Sequence, residues 1–370
     1  MDRRRYLALA ATGVAGTLAG CLGGDGPART WPMRGVDPAN TGHHPDATGP
    51  TENVRGIWSE NTGLVSRPVV DDGTVVVNTP EGLQGLEGDS GDQEWQIDAS
   101  VSSLSIIEET IYGVASPGVV AVDPAEESLD LVSEVDGSHQ LWATGTMTGL
   151  VSALDSESVT LAAVDLGTGS TDWSHEVQGW SIGCGVADGL VVVIEQRAEE
   201  IRALDLESGD EEWARDGSGS PEANPVIADG TVYVGGDGLT ALDLATGTEK
   251  WRREIGPVNE PTSANGQGVV GGSVSGDLHS LDTDGDHRWE VWVGGTVMKP
   301  LVVQETVYAP TNSAVRAFDM DGRELWHEHA GDHGGTGEAA VVDETVYLSS
   351  LGTLAALQEG ATPLEPPHTG

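Results

Sequence analysis

Apolar and polar residues alternate with a period of two along most of the chain, and short turn sequences interrupt the alternation at close intervals. In the clearest copy, the alternation runs through residues 225–234 and 238–243, with Asp229-Gly230 between the first two strands and Thr246-Gly247 after the third. This pattern predicts short antiparallel strands that are joined by tight hairpins. No stretch after the first twenty residues has the periodicity of an α-helix.

The strand pattern repeats about every 38 residues, and we count four strands in each repeat. A tryptophan marks the last strand of most units: Trp58, Trp95, Trp173, Trp213, Trp251, Trp289 and Trp326. The interval between the second and third of these is twice the period, and Leu131 stands where the missing tryptophan would be. The sequence therefore predicts an all-β fold, an eight-bladed β-propeller of four-stranded antiparallel blades.

The two ends of the repeat predict how the ring closes. The last unit contains three strands and no terminal tryptophan, whereas Val54–Trp58 precedes the first unit without strands of its own. We expect residues 54–60 to supply the fourth strand of the last blade, because a closed ring leaves few free strand edges. The propeller would then cover residues 54–358, and residues 359–370 would be a C-terminal tail.

The tryptophans belong to a longer recurring string. Ala203–Trp213, repeated in Ala241–Trp251 and Ala163–Trp173, resembles the tryptophan-docking motif of the pyrroloquinoline-quinone-like (PQQ-like) β-propeller family. Ala317–Trp326 and Leu281–Trp289 repeat it with one residue fewer in the turn. The family includes quinoprotein dehydrogenases and the assembly lipoprotein BamB. The resemblance implies that the seven tryptophans are structural docking residues between blades and do not form a cofactor platform.

The N-terminus resembles an export signal. Arg3-Arg4 precedes a mild apolar stretch, which is typical of a twin-arginine signal, and Leu18–Cys21 resembles a lipobox. We expect residues 1–20 to be a signal peptide, Cys21 to be lipidated, and residues 21–53 to be a tether and lead-in. The protein would then be exported and anchored through its lipid at the outer face of the cytoplasmic membrane.

Charge narrows the environment and the possible partners. The chain has 60 acidic residues, 17 lysines plus arginines, and a formal net charge of -43. Binding to nucleic acid phosphates is excluded because it requires clustered cations. Abundant carboxylates suit concentrated salt, where repulsion between charges is screened, and together with the export signal they indicate a halophilic archaeon. Two cysteines exclude a disulfide scaffold.

Aligning the repeats predicts one candidate ligand site. Each blade places one residue just before its innermost strand, at the mouth of the central channel. These channel-mouth residues include Arg67, Ser103, Asn224, Glu260, Lys299 and Glu338. Lys299 stands out because the chain has only two lysines. The set could bind a polar or anionic ligand, or it could form internal salt bridges around a water-filled funnel.

Quinone chemistry and metal binding have weaker support. The resemblance implies, for the dehydrogenases, a quinone held between a tryptophan and a vicinal disulfide, with Ca²⁺ and an aspartate. This chain has no adjacent cysteine pair, and we expect Cys184 to be a buried apolar residue. His327, His329 and His333, the Asp282–Asp286 turn and His43-His44 are expected to be solvated surface, so we predict no metal site.

These observations favour a monomeric, non-catalytic propeller that serves as a binding or assembly scaffold for an extracytoplasmic protein. An oxidoreductase that uses PQQ and Ca²⁺ is the first alternative, and a propeller that binds a sugar or another small polar ligand is the second. BamB itself serves an outer membrane, which archaea lack. We therefore expect its architecture to transfer to this chain, and not its role.

Overall fold

The computed structural model describes residues 29–64, 67–154, 158–177, 182–195, 199–217, 224–263, 266–297, 299–311, 314–329 and 338–360. The predicted signal peptide, Cys21, His333 and most of the C-terminal tail lie outside these residues. The described part of the chain is built from β-strands and contains no α-helix, and therefore no helix that could cross a membrane.

The strands of the first half of the chain are β1 (His43–His44), β2 (Val54–Leu64), β3 (Val69–Asp71), β4 (Thr74–Thr79), β5 (Gly82–Glu87), β6 (Gln93–Ile97), β7 (Ser102–Ile107), β8 (Thr110–Ala115), β9 (Gly118–Asp123), β10 (Ser128–Glu134), β11 (Ser138–Ala143), β12 (Thr148–Leu154), β13 (Val159–Asp165) and β14 (Thr171–Val177). Those of the second half are β15 (Ile182–Ala187), β16 (Leu190–Glu195), β17 (Glu200–Asp205), β18 (Glu211–Asp216), β19 (Val226–Ala228), β20 (Thr231–Gly235), β21 (Leu239–Asp243), β22 (Glu249–Arg253), β23 (Val258–Ser263), β24 (Val269–Ser273), β25 (Asp277–Leu281), β26 (His287–Trp292), β27 (Leu301–Val303), β28 (Thr306–Pro310), β29 (Ala314–Asp319), β30 (Glu324–His329), β31 (Glu338–Val342) and β32 (Thr345–Glu359).

These strands form eight blades, as predicted. Blades 1 to 7 are antiparallel meanders of four consecutive strands, from β3–β6 in blade 1 to β27–β30 in blade 7. The first strands of most neighbouring blades contact one another, so the first strands line the central axis. The hydrophobic core lies between blades: Leu150 and Leu161 of blade 3, for example, pack in one cluster with Val191 and Val193 of blade 4.

Blade 8 closes the ring with strands from both ends of the chain. β2 pairs antiparallel with the second half of β32, from Val54 opposite Glu359 to Leu64 opposite Leu351. The first half of β32 pairs with β31. The segment doubles back on itself, since the Glu359 N–H donates to the Glu344 carbonyl at 3.3 Å. The predicted closure by the N-terminal strand is therefore confirmed.

The segment before the propeller runs around the inside of the ring. We call residues 31–48 the strap. β1, within the strap, pairs in parallel with β27 at the edge that does not pair with β28, so the strap lies on the axial side of the first strands. First-strand N–H groups donate to strap carbonyls in blade order: Val70 to Trp31, Ile106 to Pro32, Val186 to Pro38, Ile227 to Ala39, Ser263 to Thr41 and Val302 to Gly42, all at 2.7–3.0 Å.

The strap also reaches the remaining blades. Met33 packs against a cluster that contains Leu141 and Ala143 of blade 3. The Glu344 N–H of blade 8 donates to the Thr48 carbonyl at 3.0 Å. The strap thus follows the ring once and satisfies inner strand edges that would otherwise face the channel.

Most of the recurring tryptophans join one blade to the next. The Trp213 indole N–H of blade 4 donates to the Leu244 carbonyl of blade 5 at 2.8 Å, and the ring packs on Gly247 of that blade's turn. Trp58, Trp173, Trp251 and Trp289 make the equivalent bond to the following blade. Trp326 donates instead to the Pro50 carbonyl, and Trp95 packs in the core between blades 1 and 2.

In blade 2, which lacks the docking tryptophan, the contact to the next blade is not made by the predicted residue. Leu131 does not take the docking position, because its side chain is 48% exposed. The turn glycine of blade 3, Gly169, instead faces the backbone of Val132 and Ser133, where β10 has an irregularity in its pairing. The Ser133 hydroxyl donates to the Gly169 carbonyl at 2.8 Å, so a serine makes the bond between these blades.

Candidate functional site at the channel mouth

The channel-mouth residues lie at the start of the first strands, at one end of the ring. Glu338 begins β31, Glu260 lies within β23, and Asn224 and Lys299 each stand two residues before a first strand. Five of them, all except Ser103, are linked in one network that includes the strap residue Arg34. Sequence reasoning missed this arginine because it lies outside the repeat, although cations are scarce enough in this chain for any of them to be a signal.

Glu260 is the centre of this network. Its side chain is 2% exposed, and its Oε1 atom lies 2.7 Å from Arg34 Nη1. The same oxygen accepts from the backbone N–H of Asn224 at 2.9 Å and from its side-chain amide at 3.2 Å. Lys299 Nζ lies 3.7 Å from Glu260 Oε2. Burial by itself raises the pKa of this carboxyl, but Arg34, Lys299 and Arg67 more than offset burial and lower it below its usual value.

Arg34 carries the network on to Glu338. Arg34 Nη2 lies 3.6 Å from Glu338 Oε1, and Arg67 forms an ion pair with the other oxygen of this carboxylate. Arg67 is exposed, whereas Glu338 is largely shielded. Positive and negative side chains therefore alternate across the mouth, in the order Arg67, Glu338, Arg34, Glu260 and Lys299.

The remaining polar positions face protein groups. Asn224 Oδ1 accepts from the Cys184 N–H at 3.0 Å and from the Trp142 indole N–H at 3.3 Å. Lys299 Nζ donates to the Asn40 carbonyl of the strap at 3.2 Å. The Ser103 hydroxyl accepts from the Leu141 N–H at 3.0 Å and donates to the Leu141 carbonyl at 3.2 Å. These two bonds connect blade 2 to blade 3. The geometry matches the internal salt-bridge interpretation of the mouth more closely than an open ligand ring.

The strap adds a second, partly buried acid. The Asp37 carboxylate accepts from the Thr41 N–H at 2.9 Å and from its hydroxyl at 2.5 Å. Burial raises the pKa of Asp37, against the opposing effects of the Thr41 hydrogen bonds and of Lys299. These bonds fold the strap locally at the place where it crosses from blade 5 to blade 6.

The other candidates from the sequence occupy ordinary structural positions. Asp282 Oδ1 accepts from the N–H groups of Asp284 and Asp286, at 3.0 and 2.8 Å. The Asp282 side chain therefore stabilises this turn by bonding to the turn's own backbone. His327 pairs with Glu324 on the exposed strand β30. Cys184 is fully buried, as predicted, and burial raises the pKa of its thiol.

The prediction that His43-His44 is surface was wrong for His44. This ring is completely buried in the strap, where Nε2 lies 3.0 Å from the Thr30 carbonyl and Nδ1 accepts from the Ala47 N–H at 3.2 Å. Burial lowers the pKa of His44, which favours the neutral ring. The sequence could not show this, because the burial comes from the path of the strap.

To hold a quinone, the channel would need cations or hydrogen-bond donors that are not already paired with other protein groups. The cations available in the described channel, Arg34, Arg67 and Lys299, are engaged by Glu260 and Glu338, and strap residues pair with the inner strand edges. The chain also has no adjacent cysteines. The residues present at this mouth therefore do not fit PQQ.

Comparisons with known proteins agree with the fold. A protein-family profile described as outer membrane protein assembly factor BamB matches residues 157–267 and 237–361. BamB from Moraxella catarrhalis has a similar structure, with a TM-score of 0.64 and 17% identity over 84% of this chain and 99% of that chain. No curated protein sequence matches the chain.

Two further solved structures share the architecture. Quinohemoprotein alcohol dehydrogenase from Comamonas testosteroni gives a TM-score of 0.66 and 14% identity, over 92% of this chain and 82% of that chain. The computationally designed protein Ika8 gives 0.71 and 14%, over 83% and 99%. Identities this low show a common fold, which an assembly factor, an enzyme and a designed protein can all have.

Proposed function

Because the chain belongs to the PQQ-like β-propeller family described as outer membrane protein assembly factor BamB, we propose that it is an extracytoplasmic propeller that binds other proteins and catalyses no reaction. It is held at the outer face of the cytoplasmic membrane through a lipid on Cys21, in the salt-rich surroundings of a halophilic archaeon. The propeller acts as a monomeric scaffold for an exported partner.

One observation carries this proposal: the strap lines the inside of the protein's own ring. Propeller ligands ordinarily enter along the axis, but here the strap pairs with the inner edges of the blades, and Arg34 and Lys299 bind Glu260. A buried ion pair of this kind is costly to break, since removing one partner leaves an uncompensated charge. Binding is therefore assigned to the outer surfaces and not to the axis.

The described surface offers one prominent apolar contact. Trp292, at the end of β26, is 71% exposed, and Val274 in the preceding turn is 51% exposed. Both lie at the same end of the ring as the channel mouth. Exposed aromatic side chains are enriched among residues that dominate protein–protein binding energy, so Trp292 is the residue with which to test partner binding.

The test is a quantitative cross-linking capture from membranes in high salt, with wild-type protein and the variants Trp292→Ser, Leu154→Ser and Cys21→Ala. We expect one protein to be recovered in a stoichiometric amount with the wild type and several-fold less with Trp292→Ser. Leu154 is also an exposed apolar residue, at 42%, but belongs to another blade, so its replacement should leave recovery unchanged. Equal losses with both variants would indicate non-specific adhesion, and Cys21→Ala should release the protein from the membrane.

The quinone-dependent alternative has its own experiment. Wild-type protein is incubated with PQQ and Ca²⁺, and dye reduction is followed with alcohols and aldoses. We expect no turnover above a control without protein. Turnover that depends on PQQ would overturn the scaffold proposal. Saturable binding of an aldose without turnover would favour the small-ligand alternative instead.

A further inference from the structure

Blade 6 differs from blades 4 and 7 at one place between its last two strands. In blade 7, Arg316 on β29 reaches Glu324 at the start of β30, with 2.9 Å between Nη1 and Oε2. In blade 4, Arg202 and Glu211 form the same pair. A cross-strand ion pair at this place is thus a recurring device of the propeller.

In blade 6, two histidines occupy the places of that pair. The pairing register is the same: His279 lies opposite Glu290 as Arg316 lies opposite His327, and Leu281 lies opposite His287 as Phe318 lies opposite Glu324. His279 therefore corresponds to the arginine, and His287 to the glutamate. Glu290, one residue after Trp289, supplies a carboxylate beside them.

The three side chains converge. Glu290 Oε2 lies 3.9 Å from His279 Nδ1 and 3.7 Å from His287 Nε2. One ligand atom from each residue falls within 4.8 Å of both others. A tetrahedral zinc ion bound at about 2.0–2.2 Å needs its ligand atoms roughly 3.3 Å apart, so small side-chain rotations would complete the geometry.

His279 makes the cluster more than a chance surface group. It is only 5% exposed, and neither of its ring nitrogens has a hydrogen-bond partner among the described residues. A buried polar group left without a hydrogen bond costs on the order of 1–3 kcal/mol, and a bound cation would remove that cost. His287 and Glu290 are exposed and can adjust around an ion.

We propose that His279, His287 and Glu290 bind a divalent transition-metal ion of the zinc class, with a fourth coordination position open to solvent. Two imidazoles and one carboxylate favour such ions over Mg²⁺ and Ca²⁺, which take oxygen ligands. The site lies on the outer part of blade 6, away from the strap.

The test is a Co²⁺ titration of the full chain in high salt with excess Mg²⁺, which occupies the general acidic surface. We expect one equivalent to bind with the visible absorption bands of low-coordinate Co²⁺, and Zn²⁺ to displace it. His287→Ala and Glu290→Gln should each weaken binding by at least about 10–100-fold. Both residues are exposed, so circular dichroism should show folded variants.

His327→Ala is the matched control, because His327 occupies the position of Glu290 in blade 7 and is also exposed. Its affinity for Co²⁺ should equal that of the wild type. X-ray absorption of the zinc-loaded protein should show two imidazole ligands. Oxygen ligands alone, or several equivalents bound equally well by wild type and His287→Ala, would overturn the proposal, as would an equal loss in His327→Ala.

Discussion

At the scale of single residues, Glu260 is the most consequential buried charge at the channel mouth. Glu260→Gln keeps the shape and an acceptor for Asn224 but removes the nearest counter-charge of both Arg34 and Lys299. Breaking a buried pair in this way costs roughly 3–5 kcal/mol, and we expect a loss of that order in urea unfolding at constant high salt. Glu324→Gln, which removes an exposed pair with Arg316, should cost about 1 kcal/mol or less.

The same variant should change the response to acid. Because the pKa of Glu260 in the folded state is lower than its ordinary value of 4.5, its stabilisation is fully present above that value. It is lost as the pH falls through the lower folded-state pKa. The difference in unfolding free energy between wild type and Glu260→Gln should therefore narrow below about pH 4.5. A constant difference down to the acid transition would contradict the assignment of a paired carboxylate.

Gly247 and Gly230 separate the effect of tryptophan docking from the effect of backbone conformation. Both have a left-handed backbone, with φ of 66° and 67°, and either Gly→Ala replacement should cost about 1 kcal/mol for that reason. A Cβ on Gly247 would lie 2.5 Å from Trp213 Cε3, whereas a Cβ on Gly230 meets nothing within 4 Å. Thermal unfolding should show Gly247→Ala to be less stable by a further 1–3 kcal/mol or so. Equal losses would show that the indole does not need this close contact.

At the scale of structural elements, the strands could be predicted because each one carries its own signals. Asp229-Gly230 and Thr246-Gly247 fix two hairpins whose backbone needs a left-handed residue. The docking position of blade 2 could not be predicted. Glu127, and not glycine, is the residue with a left-handed backbone in that turn. β10 then pairs with β9 in a register that places Asp130 opposite Ala121. That register moves Leu131 away from the position that a count of residues gives it.

The strap could not be predicted because its partners are spread around the whole ring. Nothing periodic in residues 31–48 indicates that Pro38 meets Val186 or that Thr41 meets Ser263. Of the mouth residues, the repeat alignment placed Glu260 and Lys299 at one end of the ring. Their pairing with Arg34, and the bonds between Ser103 and Leu141, depend on packing between distant segments.

Hydrogen exchange can measure how firmly the strap is held. Asn40 Nδ2 donates to the Cys184 carbonyl at 2.6 Å and to the Pro225 carbonyl at 3.3 Å, and Asn40 has a φ of 53°. Asn40→Gly keeps the backbone conformation and loses these bonds, which are worth about 1–3 kcal/mol. The amides of Val186, Ile227 and Ser263 should then exchange about 10–100-fold faster.

Asn53→Gly is the control for that experiment, since Asn53 is exposed and has a φ of 51°. Exchange at the first strands should be unchanged in this variant. Amides in the central strands of the blades, such as β16 and β20, should remain protected in both. Uniform acceleration throughout the protein in Asn40→Gly would mean that the strap does not open separately from the propeller.

At the scale of the whole molecule, the repeat concentrates charge around the axis. The turn between the first and second strands places an acid in the left-handed conformation in most blades: Asp72, Glu109, Asp188, Asp229 and Asp343. These turns lie at the end of the ring opposite the channel mouth. Arg29 pairs with Asp72 and Asp343, while Asp188 and Asp229 of neighbouring blades are exposed. Repeating one acidic turn around a closed ring therefore produces mutual repulsion.

We expect this repulsion to make folding dependent on salt. The Debye length is about 3 Å at 1 M salt and about 10 Å at 0.1 M, so dilution strengthens the repulsion between the carboxylates of neighbouring turns. The thermal midpoint, followed by circular dichroism, should fall steeply between these concentrations in KCl.

Asp188→Asn with Asp229→Asn should lower the salt needed for folding, because asparagine tolerates the left-handed backbone and carries no charge. Asp98→Asn with Asp130→Asn removes the same net charge from exposed positions elsewhere and should help less. Equal effects of the two pairs would assign the salt dependence to net charge alone, and a fold unaffected by dilution would contradict it altogether.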